Sequence, residues 1–83
     1  MNAIVVNIEA LYEEDKTAKL GKVGEYLQRI REQVPNGADV VLTGRAPVWL
    51  YLLVAHELHG RVRRLYYRSP VTGDVLIFDH SPY

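Results

Sequence analysis

Two histidines, His56 and His59, stand three residues apart, and a third, His80, follows Asp79 near the C-terminus. Imidazole is the side chain that changes charge near neutrality, so these residues could move protons or bind a metal. At a spacing of three, His56 and His59 are neighbours on a helix surface. The same pair would also be favourable at a helix C-terminus with no chemistry at all, because cations suit that end of the helix dipole. The carboxylates that could complete a site are Asp74 and Asp79. If the last strand continues that far, alternation sends Asp79 and His80 to opposite faces.

The second chemical feature is Thr43-Gly44-Arg45-Ala46-Pro47-Val48-Trp49-Leu50. It reads as a strand end, a tight glycine turn carrying an arginine, and a helix opened by proline. A helix N-terminus offers unpaired N–H groups and partial positive charge, and glycine lets the backbone approach a ligand closely. Pro47 falls in the first helical turn, where its missing N–H removes no bond. Such a turn is a place for an anion, although a glycine turn before a helix is common in α/β proteins.

Several classes of chemistry are excluded. The chain has no cysteine, which removes disulfides and thiolate metal sites. There is no Walker-type phosphate loop and no Ser-His-Asp spacing. No apolar run approaches the roughly 20 residues of a membrane span, and the N-terminus lacks a signal-peptide pattern, so the expected setting is cytoplasmic, away from membranes. Formal net charge is zero, so bulk electrostatics implies no nucleic-acid partner, DNA included. Charge is unevenly placed, however. From Arg45 onward five arginines meet Glu57, Asp74 and Asp79 for a net of +2, and the residues before carry −2. Arginine is the phosphate-matching cation. Tyr66 and Tyr67 among these arginines could stack on bases, and they suit a half-buried strand equally well.

The elements that must position these residues follow from periodicity. A chain of 83 residues is one domain spanning 1–83. Ala3 to Ile8 reads as a buried first strand, and Leu11-Tyr12 with Glu13-Glu14-Asp15 as a polar connection. Thr17 could cap a helix whose buried face is Leu20, Val23, Leu27, Ile30 and Val34, stopped by Pro35-Asn36-Gly37. Asp39 to Leu42 is a second strand leading into the Gly44-Arg45 turn. The helix from Pro47 to about His59 is apolar nearly all round, which predicts cover on more than one side and, in so small a domain, a second subunit. Gly60 closes it in the position favoured by a left-handed residue. Arg61–Arg68 and Asp74–Phe78 are strands around a Ser69-Pro70-Val71-Thr72-Gly73 turn, and Asp79 to Tyr83 is a short tail. The fold class is therefore α/β: a small, mainly parallel open sheet of βαβαββ order with a C-terminal antiparallel hairpin. In such sheets ligands sit beyond the carboxyl ends of the parallel strands, where Gly44 and Arg45 fall.

At Gly44-Arg45-Ala46-Pro47-Val48-Trp49-Leu50 and Ala55-His56-Glu57-Leu58-His59 the chain resembles the CRISPR-associated ring nucleases of the Csx-three (Crn-three) kind. Pro70, Gly73, Val75 and His80 fall at matching places in the family's last hairpin. The resemblance covers about Val40 to His80. It implies a CARF-like or ferredoxin-like subunit that forms homodimers and then tetramers or higher assemblies. It further implies a manganese-assisted phosphodiesterase that clasps cyclic oligoadenylate, typically the four-membered ring, between subunits. Cleavage of that messenger switches off type III CRISPR antiviral signalling. On this assignment His59 matches a catalytic histidine and His80 a metal-linked one that could also carry protons, with Asp79 taken as the metal's carboxylate. The ligand lies against Thr43, Gly44, Arg45, Pro47, His56 and Arg68.

One motif departs from the family. Its turn reads Asp-Pro-Arg-x-Gly, and here Ser69 and Val71 replace the acid and the arginine. Arg68 could replace the cation, and Asp74 or Asp79 the carboxylate. Ring cleavage needs no protein nucleophile, because each ribose 2′-hydroxyl can attack its own 3′-phosphate. The protein must align that attack and move protons. Three functions stay open: a ring nuclease, favoured by the retained histidines; a non-catalytic sensor or adaptor, favoured by the altered turn; and a generic interaction domain.

Overall fold

A computed structural model describes residues 3–80. The expected tail residues Ser81, Pro82 and Tyr83 lie outside the described residues. The chain runs β1 (Ile4–Asn7), α1 (Val23–Gln33), β2 (Asp39–Thr43), α2 (Val48–His59), β3 (Arg64–Ser69) and β4 (Gly73–Asp79). The strands lie in sequence order, β1-β2-β3-β4, with β1, β2 and β3 parallel and β4 antiparallel to β3. This is the α/β sheet with a C-terminal hairpin that periodicity predicts.

Both helices pack into one buried cluster. Ile30 and Val34 come from α1 and its C-cap, and Leu50, Val54 and Leu58 from α2. They meet Val6, Val40, Leu42 and Leu65 of the sheet. The four-residue spacing of Leu50, Val54 and Leu58 makes one stripe down α2. Outside that stripe Val48 (72%) and Leu52 (65%) are exposed, so the all-round apolar character of α2 leaves a face uncovered within one chain.

Local differences from the expected elements have physical causes. Leu11 and Tyr12 are buried; they follow a 3-10 turn (Ile8–Leu11) whose N-cap, Asn7, accepts the Glu9 amide at 3.0 Å. Apolar burial there overrides the polar residues that come next. Thr17 does not cap α1. A separate 3-10 turn (Leu20–Lys22) precedes it, Lys22 is the cap residue without a side-chain bond, and Leu20 is exposed. Gly21 and Gly24 weaken helix propensity at that point. Tyr26 takes the core position that Leu20 leaves, and its hydroxyl accepts the Lys19 amide at 3.1 Å. Pro47 lies one residue before α2 as its N-cap, with φ −65° and ψ 149°. Gly60 has φ −93°, not left-handed; the Arg61 and Val62 amides donate to the Leu58 carbonyl instead. That extra turn delays β3 to Arg64.

A buried carboxylate ties the strand starts together. Asp39 opens β2 and is 5% exposed. Arg63 donates to both of its oxygens, at 3.1 and 2.8 Å, and Arg64 lies 3.8 Å away. The Arg63 guanidinium holds the Asp39 carboxyl below its usual 3.8 despite burial. A group whose folded pKa is depressed stabilises the fold above its unfolded pKa, and that contribution is lost as pH falls through the folded value. Asp39→Asn should therefore lower the melting temperature at neutral pH, and its deficit against the parent should shrink on acidification below 3.8. A deficit that stays constant down to about pH 2 contradicts this account.

Candidate functional site

β2 ends at Thr43 and the chain turns through Gly44 at φ +106°. A side chain is strained at such an angle. A Cβ there would also collide with the Asn7 Oδ1 and lie 3.1 Å from its Cγ and 3.2 Å from the Glu9 nitrogen. Close packing of β1's end against β2's end thus demands glycine. Arg45, next in line, is exposed, and among the described residues its guanidinium has no hydrogen bond or ion pair.

Two phenols, Tyr12 buried and Tyr51 half-buried, grip the bend. Tyr12 donates its hydroxyl to the Arg45 carbonyl, and Tyr51 donates to the Gly44 carbonyl. Burial raises both phenol pKa values, that of Tyr51 to about 12, so each remains a donor near neutral pH. Among the described residues the amides of Arg45 and Ala46 have no backbone partner, and α2 has no side-chain cap. An exposed cation therefore adjoins unpaired N–H groups at the positive end of a helix dipole.

Beside the bend lies a mostly apolar groove of about 870 Å³. Its lining includes Thr43, Gly44, Arg45 and Arg68 together with apolar and aromatic side chains such as Val48, Tyr51, Leu52, Tyr67 and Ile77. Tyr67 meets Tyr51 edge-on, with ring centroids 5.2 Å apart, so this tyrosine of β3 serves as groove wall. Its volume is within the range of small-molecule sites.

The histidines lie elsewhere. α2 starts just after the bend and its 12 residues end at His59, a length of roughly 18 Å along its axis. β4 runs antiparallel to β3, so Asp79 pairs with Arg64 at the opposite end of the sheet from the bend. There the His59 and His80 rings stand with centroids 4.5 Å apart, nearly perpendicular, and both touch Phe78. The His80 amide donates to the Arg63 carbonyl at 2.7 Å, which fixes its backbone. Asp79 turns away to Arg64, at 3.2 Å. His59 and His80 thus meet, His56 is exposed one turn back on α2, and neither end contains the residues of the other.

The remaining arginines have structural partners. Arg61 donates to the Val34 and Arg31 carbonyls at the end of α1. Arg63 and Arg64 engage the carboxylates already described. Arg68 pairs with Asp74 at 2.8 and 3.3 Å, each favouring the other's charged form. Arg68 and Asp74, considered as replacements for the missing cation and acid, therefore neutralise one another. Ser69 accepts the Val71 and Thr72 amides and so caps its own turn, while Val71 is 89% exposed.

A manganese site needs several hard donors, oxygen atoms above all. Among the described residues no group of three or more His, Asp or Glu side chains could hold an ion. His59 and His80 offer two imidazoles, and the neighbouring Asp79 is ion-paired, so the donor set of one chain does not fit that metal. Likewise, among the described residues no helix is long and apolar enough to cross a membrane. Residues 21–83 match the family described as CRISPR-associated protein (Cas_csx3). No curated protein and no solved structure matches the chain.

Two substitutions should separate the architecture of the bend from its charge. Gly44→Ala is expected to cost at least about 1–2 kcal/mol in denaturant unfolding from the positive φ alone. Arg45→Ala should stay within about 0.5 kcal/mol of the parent, because the guanidinium makes no contact that holds the fold. Equal losses in the two variants would contradict this division.

Proposed function

The chain belongs to the Cas_csx3 family of CRISPR-associated proteins, and from that premise we propose that it binds cyclic oligoadenylate between copies of itself and cleaves the ring to linear products. The observation that carries the reading is the exposed Arg45, unpaired among the described residues, beside amides with no backbone partner there, at the C-terminal ends of the parallel strands. That arrangement suits a phosphodiester, and a ring of phosphodiesters offers the same group to several identical subunits.

In this reading the two ends of α2 divide the labour. The Gly44-Arg45 bend holds phosphate, while His59 and His80 move protons. One of them takes the proton from the ribose 2′-hydroxyl. The 2′-oxygen then bonds to its adjacent phosphorus, and the bond from phosphorus to the 5′-oxygen breaks. The other histidine gives a proton to that leaving oxygen, so the product is a linear chain ending in a 2′,3′-cyclic phosphate. The 4.5 Å separation of the two rings lets one phosphodiester lie within reach of both.

The bend and the histidines of one chain, roughly 18 Å apart, cannot serve the same phosphodiester. A ring seated on the bend of one copy is therefore cut by the histidines of another. The exposed Val48, Leu52, Val75 and Ile77 supply apolar surface for such association into homodimers and larger assemblies.

The altered turn favours a second reading, a sensor that binds the ring without cutting it. Neither Ser69 nor Val71 supplies charge, and Arg68 and Asp74 are spent on each other.

Cyclic tetra-adenylate, titrated with and without manganese and followed by product analysis, tests both readings. Linear product supports the nuclease, binding without product supports the sensor, and no binding rejects both. His59→Ala should abolish cleavage and leave affinity within about tenfold of the parent, as expected for a group that moves protons. Arg45→Ala and His59→Ala, each inactive alone, should recover about a quarter of parent activity when mixed in equal amounts, because a heterologous contact pairs them at random. A mixture as inactive as its components would refute the division between copies.

A further inference from the structure

We propose that Tyr12 and Tyr51 are positioning residues for the phosphate-binding bend, holding the carbonyls of Gly44 and Arg45 so that the amides of Arg45 and Ala46 are kept turned outward. This inference rests on the phosphate-binding reading above.

The two phenols come from unrelated parts of the chain. Tyr12 follows the 3-10 turn after β1 and is 33 residues from its acceptor; Tyr51 lies on α2, seven residues from its own. They grip two consecutive peptide groups. A trans peptide points its N–H opposite its C=O, and all peptide bonds described here are trans. Anchoring the Gly44 oxygen therefore directs the Arg45 N–H away from Tyr51, and anchoring the Arg45 oxygen directs the Ala46 N–H away from Tyr12. These are the amides without a backbone partner.

Such a bend needs an external hold. Glycine crosses between backbone regions at little steric cost, so Gly44 does not lock the orientation of the peptide that follows it. If that peptide flips, a carbonyl oxygen faces the phosphate where an N–H should. Tyr51 opposes that flip and Tyr12 the flip of the next peptide, because each would strip one carbonyl of its donor and leave one part-buried hydroxyl unsatisfied. Tyr12 is itself held in place, buried and tilted against Tyr26 with ring centroids 6.3 Å apart.

The test uses Tyr12→Phe and Tyr51→Phe, which remove only the hydroxyls, with Ile30→Val as a control for general core loosening. Calorimetry with cyclic tetra-adenylate measures affinity, and amide resonances of Arg45 and Ala46 in the unliganded protein report the bend. Each phenylalanine variant should bind about tenfold more weakly, the effect of losing one part-buried hydrogen bond, and its two amide resonances should shift or split. Ile30→Val should lower the melting temperature and leave affinity and both resonances unchanged. Parent-like affinity with unmoved resonances in both phenylalanine variants overturns the proposal. So does an equal loss of affinity in Ile30→Val. If the parent itself binds no ring, the phosphate-binding reading fails separately. The resonances then decide: unmoved ones overturn the clamp, and shifted or split ones uphold it.

Discussion

A glycine in the left-handed region at the end of a central strand, pressed against the side chain of Asn7, is the constraint on which the rest depends. β1 and β2 are parallel and in register from Ile4 against Val40 to Asn7 against Thr43, so both strands end together. Their continuations must leave the sheet at one place. The β1 continuation does so through a 3-10 turn capped by Asn7, and the β2 continuation has only the space that a missing Cβ leaves. The bend at Gly44 is thus a packing solution first. Its consequence for chemistry is that Arg45 emerges at the sheet end with nothing among the described residues to neutralise it.

α2 converts that local solution into a molecular layout. It starts three residues after Arg45, packs Leu50, Val54 and Leu58 into the core, and delivers His59 to the far end of the sheet. β4 returns antiparallel and brings Phe78 and His80 to the same place. A helix antiparallel to its preceding strand cannot put its two ends at one site. Two chemically distinct ends therefore follow from the βαβ crossover itself, and so does the need for two copies if both ends act on one phosphodiester.

The arginines illustrate how composition and function diverge. Five occur from Arg45 onward, and a basic second half suggests a broad phosphate-binding surface. In the fold, Arg61 serves the end of α1, Arg63 binds Asp39 at the start of β2, Arg64 binds Asp79 at the end of β4, and Arg68 is matched by Asp74 across the hairpin. Among the described residues Arg45 is the one of the five whose guanidinium has neither an acid nor a carbonyl acceptor, so its charge stays available for an anion. Strand register, with the packing of Arg61 on the end of α1, decided which one that is.

Periodicity and breakers were sufficient for the order of elements: the β-branched run at Ile4, the helical spacing of Val23, Leu27, Ile30 and Val34, and the stop at Pro35-Asn36-Gly37 are local signals that tertiary packing left standing. The Gly-Arg bend before α2 was legible for the same reason, since a strand end, a glycine and a proline are neighbours in the chain. Tyr12 and Asp39 could not be read in this way. Tyr12 meets its acceptor across 33 residues, and Asp39 meets Arg63 across 24, so neither pairing leaves a mark in spacing. The meeting of His59 with His80, and their distance from Arg45, were likewise decided by strand direction and helix length. Those quantities exist only once the sheet has formed.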